Sequence, residues 1–158
     1  MGAASLRGIS PGGEPASMSN LTILRAQHDE LLRQAGILKG YIGLAAAPDT
    51  VELFRVRQSF ANALIAHLAE EDWVLYPRLL KNNDPVIVDT AQAFVDEMGG
   101  LLDAFRSWST RWTADSIRRE WNEFCVETEG LLSALAIRIE RENTQLYPLA
   151  DRGDAIAA

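Results

Sequence analysis

Four stretches of this chain carry apolar residues that recur by alternating steps of three and four, and only short linkers separate them. That spacing keeps one stripe on one side of an α-helix and lets it interlock with a neighbour in left-handed bundle packing. Segment A opens at Ser19 or Asn20 and ends before Pro48, with the stripe Leu24, His28, Leu31, Ala35, Leu38, Ile42. Segment B runs from about Thr50 to Leu80, with Leu53, Val56, Phe60, Leu64, His67, Glu71, Val74. Segment C starts near Asp84-Pro85, proline being tolerated in a first helical turn, and carries Ala91, Phe94, Met98, Leu101, Phe105, Trp108, Trp112. Segment D begins near Thr113 or Asp115 and ends near Leu149, with Ile117, Trp121, Phe124, Thr128, Leu131, Leu135, Arg138, Glu142. No segment alternates as a strand would. Short linkers make neighbours antiparallel, so the expectation is an all-α, up-down-up-down antiparallel four-helix bundle over residues 19–150. Residues 1–18, rich in Gly, Pro and Ser without periodicity, read as a disordered tail, and residues 151–158 as a short C-terminal tail. Both Met1 and Met18 stand open as translation starts.

The composition excludes several functions. A net charge of −7 with 15 dispersed Lys and Arg argues against nucleic acid, which needs clustered cations. No apolar run is long enough to span a membrane, and the N-terminus lacks the unbroken apolar core of a secretory signal. One cysteine, Cys125, forms no internal disulfide and fits a reducing compartment. The expected location is the cytoplasm.

The chain also repeats itself. His67-Leu-Ala-Glu-Glu71-Asp-Trp-Val-Leu-Tyr76-Pro77 returns 71 positions later as Arg138-Ile-Glu-Arg-Glu142-Asn-Thr-Gln-Leu-Tyr147-Pro148. At a shift of 70, segment A falls on segment C, with His28 on Met98. The bundle should therefore have a pseudo-two-fold axis relating hairpin A–B to hairpin C–D. Residues four apart share a helix face, so His67 and Glu71 present themselves together, as a metal pair does. Under the antiparallel arrangement His28, His67, Glu71, Met98, Arg138 and Glu142 all lie towards the end where A and C begin. Both glutamates survive in the repeat and both second-half histidines do not. Arg138 puts a permanent cation beside the carboxylates, where it can neutralise them. Met98 reads as a flexible core filler, and Glu97 as one further carboxylate near the cluster. Tyr76 and Tyr147 are expected to cap the core, with a supporting hydrogen bond to Glu71 or Glu142 as the alternative.

These pieces resemble the hemerythrin-like (HHE cation-binding) family: His28-Asp-Glu-Leu-Leu, His67-xxx-Glu71 with Leu-Tyr-Pro, and Arg138-xxx-Glu142-Asn with Leu-Tyr-Pro. The resemblance implies a four-helix bundle around a non-haem di-iron centre, associated with O₂ binding, oxygen or redox sensing, and repair of nitrosative damage. It makes His28, His67, Glu71 and Glu142 the metal ligands, and places Met98 and Arg138 where the family has histidines. The primary expectation is a non-catalytic signalling or interaction module with a degenerate site and no bound metal. The alternative is an iron or zinc site, mononuclear or residual di-iron, that senses oxygen, nitric oxide or redox state. Phe54, Ile65 and Trp73 are off the main stripe of B. They are expected to pack against A and C, with a protein partner or homodimer surface as the second reading. No nucleophile–base constellation or phosphate loop is present, so no enzyme is expected.

Overall fold

The computed structural model describes residues 20–157, and among them there is no strand. Segment A is one helix, α1 (Asn20–Ile42). Segment B is a rod of three pieces: α2 (Thr50–Glu70), a wide π-helical turn π1 (Glu71–Leu75) and α3 (Tyr76–Leu80). Segment C is α4 (Pro85–Met98) and α5 (Leu101–Arg111). Segment D comprises α6 (Ala114–Arg119), α7 (Trp121–Arg141), a second wide turn π2 (Glu142–Leu146) and α8 (Tyr147–Ala157). α1 packs on α2 and α7, α5 on α7, and α3 on α4, giving the all-α bundle of four rods that the stripes require.

The starts of the rods follow ordinary capping chemistry. Asp49 accepts from the Val51 N–H at 2.8 Å and Asp84 from the Val86 N–H at 2.9 Å, each satisfying a donor the helix itself leaves unpaired. Thr113 and Ser116 form a reciprocal capping box before α6. Ser19 and the expected disordered tail lie outside the described residues. Asn20 is already helical.

Three features depart from four uninterrupted helices. Each π-turn runs directly into a Tyr-Pro pair, Tyr76-Pro77 and Tyr147-Pro148. Proline has no N–H and its ring crowds the carbonyl four residues back. The wide turn relieves that clash: the Tyr76 N–H reaches the Glu71 carbonyl, and the Tyr147 N–H reaches that of Glu142, five residues back. The extra residue shifts the register. Val74, expected inside, is 40% exposed, and Leu75 is buried instead. Segment C is interrupted at Gly99-Gly100, where a Cβ on Gly99 would lie 2.5 Å from the Val95 carbonyl oxygen, so only glycine fits this tight turn. Finally, residues 151–157 continue α8 rather than forming a tail. Asp151 pairs with Arg25 at 3.0 Å, and Gly153 sits so close to α4 that an added Cβ would meet Ile87 Cδ1 at 2.9 Å.

The core is split in two. One apolar cluster, towards the start of α1, holds Leu21, Leu24, Leu75, Phe94, Leu146 and Tyr147 among others. The other, towards the α1–α2 linker, holds Leu31, Phe60, Phe105, Trp108, Phe124 and Leu135 among others. Along α1 the order is Leu24, His28, Leu31, and along α7–π2 it is Leu135, Arg138, Glu142, Leu146. A buried polar layer therefore crosses the bundle between two hydrophobic halves. Phe54, Ile65 and Trp73 do not pack inside as expected. They are 61%, 52% and 80% exposed on the outer side of segment B.

Candidate metal centre

The polar layer contains His28 from α1, His67 and Glu71 from segment B, and Arg138 and Glu142 from segment D, all buried. His28, His67, Glu71 and Glu142 each bring one ligating atom within 4.8 Å of all the others. Three rods that are distant in sequence thus converge on one point.

The imidazoles are held from behind. His28 Nδ1 lies 2.9 Å from Asn143 Oδ1, and His67 Nδ1 lies 3.1 Å from Gln27 Oε1. An amide oxygen only accepts, so each Nδ1 carries the proton and donates it. In the neutral rings each Nε2 is then a lone pair, with the Tyr147 hydroxyl 3.2 Å from that of His28. The two Nε2 atoms face each other at 3.1 Å. His28 Nε2 also lies 3.2 Å from Glu142 Oε2, and His67 Nε2 lies 3.3 Å from Glu71 Oε2. Glu142 Oε2 is buried without a hydrogen bond; the His28 ring is within ion-pair distance but not aligned to donate. With both rings neutral, lone pairs converge here, and a proton shared with one ring or a bound cation is what relieves them.

Three of the four carboxylate oxygens, Glu71 Oε2 among them, also accept hydrogen bonds. Arg138 spans both carboxylates, donating from Nη2 to Glu71 Oε2 at 2.6 Å and from Nε to Glu142 Oε1 at 2.8 Å. The tyrosines cross over: Tyr147 of segment D donates to Glu71 Oε1 at 2.7 Å, and Tyr76 of segment B donates to Glu142 Oε1 at 2.9 Å. This exchange is the pseudo-two-fold axis made visible. In a plain α-helix Tyr76 would point well away from the Glu71 face, and the π-turn brings it round over the site. The tyrosines are therefore members of the buried network, not caps at the helix ends.

Electrostatics fixes the protonation states. Burial alone would push the Glu71 carboxyl up. A proton shared with the His67 imidazole, the Arg138 guanidinium and the Tyr147 hydroxyl outweigh burial and hold it down to about 2. Burial, then the nearby carboxylates, push both tyrosine hydroxyls up, so they remain donors. Burial works against the charge on Arg138, but Glu142 and Glu71 more than restore it and raise its pKa.

Met98 is not among the converging atoms. Its side chain packs against the first apolar cluster, while its carbonyl, at the Gly99-Gly100 interruption, accepts from Arg138 Nη1 at 3.4 Å. Glu97 is also outside the cluster, half exposed and paired with Arg141. Sequence reasoning missed Gln27 and Asn143, each adjacent to a ligand, although a ring nitrogen in such a layer always needs a partner. On the outer side of Arg138 lies a cavity of about 440 Å³ lined by Met98, Leu101, Ala104 and Ile137.

The donor set suits a cation. Two imidazole nitrogens and two carboxylate oxygens are the ligands preferred by divalent zinc, iron and manganese. Comparison with known proteins agrees: the family model for the hemerythrin HHE cation-binding domain matches residues 19–150. No curated protein and no solved structure matches the chain. With the model match spanning most of its length and the buried His/Glu cluster lying within that span, this chain belongs to the hemerythrin HHE cation-binding family.

Proposed function

We propose that this protein binds a single divalent metal ion through His28, His67, Glu71 and Glu142, with Arg138 serving as the fixed second cation of the site. The observation that carries this reading is the convergence of His28 Nε2, His67 Nε2 and the orphaned Glu142 Oε2 on one buried point. Charge supports one ion rather than two. With neutral imidazoles, Glu71, Glu142 and Arg138 leave one negative charge in excess. One divalent ion reverses this by a single unit, whereas a second would add two more positive charges beside a guanidinium in a buried layer.

The chain's own residues do the positioning. Gln27 and Asn143 orient the rings, Arg138 and the two tyrosines fix the carboxylates, and the two apolar clusters exclude water on either side. A bound ion supplies Lewis acidity and, if it is iron, one-electron redox chemistry. No residue in the layer is placed as a nucleophile with its base. The reading is a non-catalytic metal-binding module whose metal state is the signal, with the site reduced from two cations to one.

Titration of chelator-treated protein with Fe(II) under anaerobic conditions, and separately with Zn(II), tests this. About one ion per chain is expected, with little binding by His67→Ala. The competing occupant of the same point is a proton. Protein that retains no metal from either titration would sink the single-ion reading. Asn143→Leu is expected to weaken affinity by roughly 10- to 100-fold without changing the stoichiometry. Unchanged affinity in that variant would show that Asn143 does not orient His28.

A further inference from the structure

In the half of the bundle towards the α1–α2 linker, Arg57 of α2 lies across the aromatic faces of the second core cluster. Its guanidinium carbon is 4.7 Å from the Trp108 ring centre and 5.7 Å from that of Phe124. Ring faces offset part of the charge, but they accept nothing in the guanidinium plane. The Nε–H of Arg57 is buried with no acceptor, and no carboxylate lies within ion-pair distance among the described residues. Burial lowers its pKa, with no carboxylate to oppose the shift. Arg138, by contrast, is buried with two carboxylates on it.

Arg57 borders a cavity of about 330 Å³ between α2, α5 and the start of α6, and it is the only charged residue lining it. The walls are Phe54, Ala61, Trp108 and Trp112, with Ser109 and Thr113 as neutral hydrogen-bonding groups. This volume is within the range of small-molecule sites, and apolar walls with one charged anchor are their usual make-up. The indole N–H groups of Trp108 and Trp112 are already used, on Thr128 and Glu127. The guanidinium is therefore the charged donor left to this cavity, beside the neutral groups of Gln58, Ser109 and Thr113.

We propose that this cavity binds a small organic carboxylate with an apolar, flat body. The carboxylate takes the two Nη–H groups at the tip of the Arg57 fork, Nε itself being closed off by its neighbours. The body lies against Phe54 and Trp112. This site is independent of the metal layer and holds whether or not the single-ion reading does.

The test uses the full chain and phenylacetate, followed by tryptophan fluorescence and calorimetry. Saturable binding is expected. Phenylacetamide, which has the same body without the charge, should bind at least about tenfold more weakly, as loss of a hydrogen bond to a charged group implies. Arg57→Gln should lose a similar factor for phenylacetate with its circular dichroism unchanged. Ala61→Phe, which fills the cavity and leaves Arg57 in place, should also abolish binding; if Arg57→Gln fails to fold, this variant decides alone. Four results would each overturn the proposal: no saturation by about 10 mM, equal affinity for acid and amide, binding that survives Ala61→Phe, or inorganic phosphate binding as tightly as phenylacetate.

Discussion

Arg138→Leu is expected to cost the metal-free protein about 3–5 kcal/mol, the usual result of removing one partner from a buried ion network. For a chain of this size that corresponds to a fall in Tm of roughly 10 °C. The cause is specific. Arg138 donates to Glu71 Oε2 and Glu142 Oε1 in a layer where both carboxylates are fully buried, so leucine strands two charges without counter-ions. Arg138→Lys should fall between, because one ammonium supplies the charge but cannot span both carboxylates as the fork does. Added Zn(II) should recover part of the loss in Arg138→Leu, since a bound ion replaces the missing positive charge and stabilises only the folded state. Thermal melts with and without chelator measure all three. An unchanged Tm for Arg138→Leu in chelator would show that Arg138 is not the counter-charge of the layer. The extension is to restore both second-half histidines: Met98→His with Arg138→His should raise bound iron above one per chain. Iron that stays at the wild-type level in a folded double variant would remove the argument that Arg138 stands in for a second ion.

The other large effect is expected far from the metal layer. Phe124 is fully buried and lies between three indoles, with ring centres 6.0 Å from Trp108, 5.5 Å from Trp112 and 5.5 Å from Trp121. Phe124→Ala removes the ring that joins them and leaves a cavity that three stiff neighbouring indoles cannot fill, at about 3–5 kcal/mol. Denaturant unfolding checks the magnitude. The same variant should keep its metal stoichiometry, because the polar layer and this aromatic cluster are in separate halves of the core. Loss of metal together with stability would mean that the two halves do not behave separately.

Much of the fold was legible because a helix writes its own period into the chain. The stripes of A, C and D predict buried residues such as Leu24, Leu31, Phe94, Phe105, Phe124 and Leu135, and these are buried. The exception in B begins at Val74, one turn past Glu71, where the period itself changes. Pro77 and Pro148 were visible in the sequence. That they widen the preceding turn instead of ending the helix depends on neighbouring rods holding α3 and α8 in place. The continuation of α8 to Ala157 is similar: nothing local ended or extended that helix, whereas contact with Ile87 and Arg25 holds it. Phe54 and Trp73 show the converse. Their side chains are apolar, yet they stand 61% and 80% exposed on the outer side of segment B.

The sequence by itself determined the bundle, its internal two-fold repeat, and the membership of the buried cluster: His28, His67, Glu71, Arg138 and Glu142. It did so because helical periodicity depends only on spacing along the chain. Only the tertiary structure decided how those groups are paired. Arg138 bridges both carboxylates, Tyr76 and Tyr147 cross to the opposite half, and Gln27 and Asn143 turn two histidine lone pairs towards one point. The reason is that hydrogen-bond direction is set by the side chains of different rods meeting in space. No spacing within a single rod specifies it.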